Sequence, residues 1–244
     1  MTLIKSISGI RGTIHENDNE GLCSKEIKKC IVQFYQWLLK INNNNQLTII
    51  VGRDGRVSGK QILDLISNQA LELNINVINL GLTTTPSVQV AILDKKCAGG
   101  VMVSASHNPR DWNGLKLLNY EGEFLSNSDS LDVFNFICNH KLKQSQVFKK
   151  TEIQFVNYQE THLLSILELV DVDIKKIQKS KFKVVIDGIN SSGGVYVPAL
   201  LHKLGADVVE LNCIPDGNFA HKPEPIPENL IELCNKVQEV NADI

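Results

Sequence analysis

Ser106 follows the apolar run Val101-Met-Val103 and is followed at once by His107, Asn108 and Pro109. A hydroxyl beside an imidazole is a candidate nucleophile, and Arg110 and Lys116 bracket the pair with positive charge. That combination suits an anionic substrate better than a neutral one. No serine sits in a G-x-S-x-G elbow, which argues against a hydrolase of that kind. Gly55 to Lys60 is too short for a phosphate-cradling Walker loop and has no Ser or Thr after the lysine. On these residues alone Ser106 is either a turn-capping loop serine or a nucleophile with unfamiliar support.

Two further clusters carry charge next to glycine. In Gly9-Ile-Arg-Gly12, two glycines let backbone amides approach an oxyanion with the Arg11 guanidinium alongside; the alternative is a loose terminal turn. In Gly52-Arg-Asp-Gly-Arg-Val-Ser-Gly59, Arg53 and Arg56 either grip phosphate or pair with Asp54 to fix the loop. A third glycine loop, Asp187 to Gly194, lacks the G-x-G-x-x-G order of a dinucleotide site.

The elements that must position these groups follow from periodicity. Residues 3–14 read as a strand, a turn and a return. Ser24 caps a helix over 24–40 with Ile27, Ile31, Phe34, Leu38 and Ile41 on one face. Leu47 to Val51 is a buried strand running into the 52–59 loop. Ser58 caps a helix over about 60–72. Asn76 to Leu80 is a strand, and Thr85 caps a helix with Pro86 in its first turn. Ala98 to Val103 is the strand that delivers Ser106, a short antiparallel pair spans 117–124, and 129–140 is a helix. Lys141 to Lys150 is charged, weakly patterned and read as a linker. A second unit starts around Ile153, with helices over 161–169 and 171–178. Phe182–Asp187, Val195–Leu204 and Asp207–Asn212 form a strand, helix and strand that favour parallel pairing, with Gly205 as the helix stop. Pro215 to Leu230 is a stiff connection whose His221 positions domains rather than reacts. A helix over 231–240 follows, and Asn241 to Ile244 approaches another strand.

The run Ser104-Ala-Ser-His-Asn-Pro109, followed by Asn113-Gly-Leu-Lys116, resembles the active-site loop of the alpha-D-phosphohexomutases. The resemblance implies that Ser106 is carried as phosphoserine, that His107 hydrogen-bonds near the reacting sugar oxygen, and that Lys116 is the active-site lysine. Gly9 to Gly12 is similar to the family's phosphate-contacting segment, which gives Arg11 a catalytic role. Gly9, Gly12, Arg53, Arg56 and Asn108 are phosphate- or loop-supporting. Where the family often has Thr, Ala or Pro in the 52–59 loop, this sequence has Gly55, read as a tolerated change costing some rigidity. Asn190 and Ser191 are read as architectural first.

The implied fold class is α/β, with three-layer α/β/α domains and mixed sheets, two in tandem and the second truncated. The phosphoserine loop lies in a first domain over 1–148, and 149–244 is a second domain lacking its metal-loop region. The implied reaction moves a phosphoryl group between the C6 and C1 oxygens of a hexose-type sugar through a bisphosphate. Mg2+ would contact Ser106 through its phosphate, the aspartate ligands being absent from these residues. Glucosamine 1,6-bisphosphate would be primer or intermediate. Met1 to Gly12 and Asp111 to Asn119 look most like bacterial phosphoglucosamine mutases of one subgroup, implying glucosamine 6-phosphate and 1-phosphate. Phosphomannomutase or phosphoglucomutase activity is the alternative, as is a catalytically incomplete phosphate- or partner-binding domain pair. The 244-residue chain alone is expected not to turn over.

Composition allows real hydrophobic cores. The chain is 43% hydrophobic, and 25 Lys plus Arg face 27 Asp plus Glu for a net charge of −2, so neither nucleic acid nor an anionic membrane is called for. The expected partner is a hexose or hexosamine phosphate, with a homodimer left open. Six scattered Cys form no C-x-x-C pair, and no signal peptide opens the chain, so reduced thiols in the cytoplasm are expected.

Overall fold

A computed structural model describes residues 3–7, 9–14, 20–43, 45–136 and 151–244. In chain order these form β1 (Leu3–Ser6), β2 (Gly9–Thr13), α1 (Ser24–Ile41), β3 (Thr48–Arg53), α2 (Gly59–Glu72), β4 (Asn76–Leu82), α3 (Thr85–Lys95), β5 (Gly100–Val103), β6 (Trp112–Leu118) and α4 (Asn127–Phe134). They continue as β7 (Ile153–Phe155), α5 (Gln159–Leu167), α6 (Ile174–Ser180), β8 (Lys183–Asp187), α7 (Gly193–Lys203), β9 (Asp207–Leu211) and α8 (Ile231–Glu239). The architecture is two tandem α/β/α units with mixed sheets.

The first sheet has the order β1-β2-β6-β5-β3-β4-β7. β5, β3, β4 and β7 run parallel, whereas β1, β2 and β6 pair antiparallel with their neighbours. Alternation along the central strands makes the layers. Ile49 and Val51 of β3, Val101 and Val103 of β5, and Leu115 and Leu117 of β6 enter the core under α1 and α2. Ile50, Met102 and Leu118 enter the core under α3. Each such side chain, fully removed from water, contributes about 1.5–3 kcal/mol.

The chain leaves β3 toward β4 through α2, then returns across β3 to β5 through α3. Right-handed crossovers place those helices on opposite faces of the sheet. They also make the carboxyl ends of β3 and β5 a topological switch point, where α/β sheets open a crevice. The 54–58 loop and the Ser106 loop leave the sheet side by side at this crevice.

The second unit is a parallel pair, β8 and β9, joined through α7. Asp243 and Ile244 hydrogen-bond to Lys183, and the Val185 amide donates to the Ile244 carbonyl. The last residues thus lie on β8 as a strand would.

Several expectations need correction. Ser24 is the first residue of α1, capped by Cys23 without a side-chain bond. Ser58 precedes α2 without capping it; its Oγ instead accepts from Asn113 Nδ2. Thr84 rather than Thr85 caps α3, accepting the Ser87 amide. Residues 112–116, next to the reactive stretch, are sheet strand, so Lys116 sits on rigid backbone. The helix expected over 129–140 spans Asn127–Phe134, capped by Ser126. Its last residues, and the expected linker over 141–150, lie outside the described residues, as does the division drawn between 148 and 149. Residues 153–155, expected to open the second unit, form β7 and pair with β4 of the first sheet. By sheet membership we propose a working division after Phe155.

Candidate active site

Ser106 lies three residues beyond β5, exposed to solvent. Its φ is +56°, the left-handed region that disfavours side chains. Three bonds hold it there. The Ser106 amide donates to Ser104 Oγ at 3.1 Å, the Asn108 amide closes a turn onto the Ala105 carbonyl, and the Ser106 carbonyl accepts from Arg56 Nη2 at 2.8 Å. His107 Nδ1 stands 3.5 Å from Ser106 Oγ, too far for a strong hydrogen bond.

Arg56 organises the loop. Its side chain is wholly buried, and all five N–H donors are spent. Nε pairs with Asp54 Oδ2 at 3.2 Å, Nη1 reaches the carbonyls of Pro109 and Trp112, and Nη2 reaches those of Ser106 and Asn108. Burial pulls its pKa down while Asp54 pushes back. With no donor left over, Arg56 supports the loop rather than gripping phosphate. Arg53 gives Nη1 to the Asp54 carbonyl and packs on Gly59; the ion pair with Asp54 belongs to Arg56.

Strand register brings the remaining groups together. Arg11 of β2 is the partner of Gly114 on β6, and Lys116 is two residues on, so Arg11 and Lys116 share a face. A Cβ at Gly114 would come within 3.0 Å of the Arg11 Cβ and crowd the Ser104 carbonyl. Gly9 has φ +111°, and a side chain there would run into the Leu115 carbonyl. The buried Gly12 continues β2. Arg11 Nη1 donates to Asn108 Oδ1 at 3.0 Å, which ties the guanidinium to the Ser106 loop. Gly9, Arg11, Ser104, Ser106 and Lys116 line one cleft of 350 Å3, whereas His107, Arg53 and Arg56 are not among its lining residues.

Lys116 Nζ donates to Thr85 Oγ1 at 3.1 Å. Burial lowers the lysine pKa, Asp54 opposes that shift and Arg56 adds to it. Thr85 is in the first turn of α3, and the positive end of that helix also disfavours an ammonium. The site therefore favours a lysine that releases its proton more readily than a surface one.

Sequence reasoning offered Asp54 as a partner for either arginine, and the structure gives it to Arg56; it missed Thr85 as the partner of Lys116 and Ser104 as an amide acceptor. Ser104 carried a local signal, a serine two residues before a loop amide. Thr85 acts on Lys116, a group 31 residues away that only the tertiary fold brings near. Gly55 also differs from expectation. A Cβ there would meet the Ser191 Cα at 2.6 Å, and its amide donates to Ser191 Oγ at 3.0 Å. Glycine is required by this close approach of the second unit. Asn190 and Ser191 act as architecture, and His221 bonds to Asp187 Oδ2 at 2.8 Å.

Other chemistries find little support. Burial pushes the Cys30 thiol up to about 12 and Cys97 up to about 11, which leaves both inert at neutral pH. Among the described residues no three His, Cys, Asp or Glu side chains gather as a metal site. The donors here do not fit Mg2+, which takes carboxylate and phosphate oxygens. A larger cavity of 790 Å3 opens at the amino ends of β3 and β4, beside Thr48 and Asn76 and away from Ser106. No helix among the described residues is long and apolar enough to cross a membrane.

Residues 3–143 match the family model described as phosphoglucomutase/phosphomannomutase, alpha/beta/alpha domain I, and residues 160–244 match the corresponding domain II. A phosphoglucomutase/phosphomannomutase of Thermococcus kodakarensis is 32% identical over 236 residues, covering 96% of this chain and 50% of that protein. A protein of Methanosphaera stadtmanae named "Probable phosphoglucosamine mutase" is 30% identical over 241 residues, covering 97% and 50%. The chain thus spans about half the length of the curated relatives it matches. The solved structure of the phosphoprotein pp63/parafusin of Paramecium, in its open form, superposes with a TM-score of 0.77 at 21% identity, covering 96% of this chain and 47% of that one. That likeness is one of fold.

Proposed function

The chain belongs to the phosphoglucomutase/phosphomannomutase family, and from that premise we propose that it is the nucleophile-bearing part of a sugar-phosphate mutase, with Ser106 as the phosphoryl carrier. The observation that carries this reading is the single cleft that gathers Arg11, Ser106 and Lys116 at the switch point of the sheet. A serine with two cations, and neither a strong base on its Oγ nor an acyl-transfer triad, is suited to phosphoryl transfer, where positioning and charge stabilisation dominate.

In the forward half-reaction a sugar hydroxyl attacks the phosphorus of phosphoserine 106. The new bond joins the sugar oxygen to phosphorus, the bond from Ser106 Oγ to phosphorus breaks, and the solvent-exposed Oγ takes a proton from water as it leaves, a proton that Lys116 later returns to solvent. The hydroxyl proton passes to Lys116 Nζ, whose lowered pKa lets it act as a base. Arg11, fixed through Asn108, offsets charge on the phosphoryl oxygens. The second half-reaction reverses these roles with the other phosphate of the bisphosphate. In the family's complete proteins Mg2+ would supply further charge stabilisation; the described residues here do not form its site.

The substrate proposed is a hexose phosphate of the gluco or manno series. This reading is favoured by the names of the Thermococcus relative and of Pseudomonas relatives, phosphoglucomutase/phosphomannomutase. The similarity of Met1 to Gly12 to phosphoglucosamine mutases, together with the Methanosphaera relative, keeps glucosamine phosphate as the second reading. Because the described residues lack a metal donor cluster, the 244-residue chain is proposed to accept a phosphoryl group without completing mutase turnover.

The test is mass spectrometry of the chain after incubation with glucose 1,6-bisphosphate, mannose 1,6-bisphosphate or glucosamine 1,6-bisphosphate. One phosphate on Ser106, absent from Ser106→Ala, is expected, fastest with the gluco or manno donor. Phosphate on another residue, or none from any donor, would overturn the assignment.

A further inference from the structure

The loop at Asp216 to Phe219 of the second unit reaches the Ser106 loop through one side chain. The Phe219 ring lies over the Arg56 guanidinium, 5.1 Å from Cζ to the ring centroid. Arg56 has already spent its five in-plane donors on Asp54 and on the carbonyls of Ser106, Asn108, Pro109 and Trp112. The faces of the planar group are its remaining surface. A ring over one face is held by cation–π attraction and keeps water from competing for the bonds in the plane.

The approach is built on both sides. Gly217, at φ +78°, packs so close to Gly55 and Val57 that a Cβ would collide with the Gly55 carbonyl. Its amide donates to the Asn190 carbonyl at 3.0 Å. On the other flank the Gly55 amide donates to Ser191 Oγ. The 55–57 segment is thus cradled between two loops of the second unit. Phe219 belongs to neither hydrophobic core and is only partly buried, so packing among core residues does not explain its place.

We propose that Phe219 is a positioning residue for Ser106, acting through Arg56, so that seating of the second unit's 216–219 loop sets the geometry of the nucleophile loop. The consequence for phosphoryl transfer rests on the phosphoserine role proposed above. The positional consequence does not. Ser106 occupies a left-handed backbone conformation that its neighbours must enforce, and one enforcing bond is the one from Arg56 Nη2 to its carbonyl. Loosening the guanidinium should release that conformation first.

The experiment measures amide hydrogen exchange and Ser106 phosphorylation in the full 244-residue chain and in Phe219→Leu and Phe219→Trp. In Phe219→Leu, the 105–112 amides should exchange at least about tenfold faster, with β3 and β5 interior amides unchanged. Phe219→Trp, with a larger π face, should restore protection. The initial rate of phosphate transfer from the bisphosphate should fall about tenfold in Phe219→Leu with little change in half-saturating donor concentration, as expected for lost orientation. Unchanged exchange at 105–112, equal acceleration in the strands, or failure of tryptophan to restore protection would each overturn the proposal. If Phe219→Leu does not fold, Phe219→Trp decides: wild-type or slower exchange at 105–112 supports the role, and faster exchange defeats it. Absence of phosphate from wild-type Ser106 would count against the phosphoserine reading alone, since the exchange comparison stands without it.

Discussion

Arg56 Nη2 donates to the Ser106 carbonyl at 2.8 Å, so a wholly buried cation from the β3 loop holds the exposed candidate nucleophile of the β5 loop. Truncating Arg56 strands the Asp54 carboxylate and four carbonyls. Arg56→Ala is expected to lower unfolding stability by about 3–5 kcal/mol, the range for breaking a buried pair by removing one partner. Urea unfolding measures it, and a loss under about 1 kcal/mol would show the network to be dispensable.

Ser106 adopts φ +56°. Glycine accepts that conformation without a Cβ penalty, but it gives the unfolded chain more entropy. Ser106→Gly is therefore expected to be between unchanged and about 1 kcal/mol more stable than wild type, while taking up no phosphate. Ser106→Ala should show no such gain. A marked destabilisation of the glycine variant would mean that the Ser106 side chain is itself structural.

Burial lowers the Lys116 pKa. Between the folded value and the ordinary lysine value the unfolded chain binds more protons than the folded one. Stability attributable to this group therefore rises with pH across that window. Lys116→Met should be at least as stable as wild type at neutral pH and should lose that alkaline rise. Because Lys116 donates a proton to the departing sugar oxygen when Ser106 takes up phosphate, the wild-type rate of Ser106 phosphorylation should fall as pH rises through that window, and Lys116→Met should lose that fall. Parallel stability profiles for the two proteins would contradict the assigned environment.

Gly55 packs against Ser191 at a distance that leaves no room for a methyl group. Gly55→Ala should cost about 1–3 kcal/mol, the usual toll of overpacking. It should also raise hydrogen exchange at 54–57. Wild-type stability would restore the view of Gly55 as a freely variable loop position.

His162 Nδ1 lies 2.7 Å from Ser87 Oγ, in a buried contact between α5 and α3, and burial lowers its pKa. Below the ordinary histidine value the unfolded chain takes up a proton that the folded one resists, so stability falls as pH drops through that window. His162→Asn should flatten this acid slope below about pH 6.5. An unchanged slope would assign it to other groups.

The sequence by itself determined the alternation of strands and helices, the parallel pair over 182–212, and the placement of Ser106 just beyond a buried strand. Those features follow from local periodicity and from glycine and proline punctuation, which act over a few residues. It also carried the family resemblance, through Ser104 to Pro109 and Asn113 to Lys116. Tertiary structure alone decided what each charged group does. Arg53 and Arg56 are equivalent in sequence, but β3 ends so that Arg56 turns inward onto four carbonyls while Arg53 stays at the strand end. Lys116 meets Thr85 because β6 and α3 pack together, not because of any spacing between positions 85 and 116. Gly55 became an obligatory glycine only when the second unit came to rest on it. A hydrogen bond over 50 or 136 residues of sequence leaves no periodic trace, because its geometry is fixed by the packing of elements rather than by the neighbours of either residue.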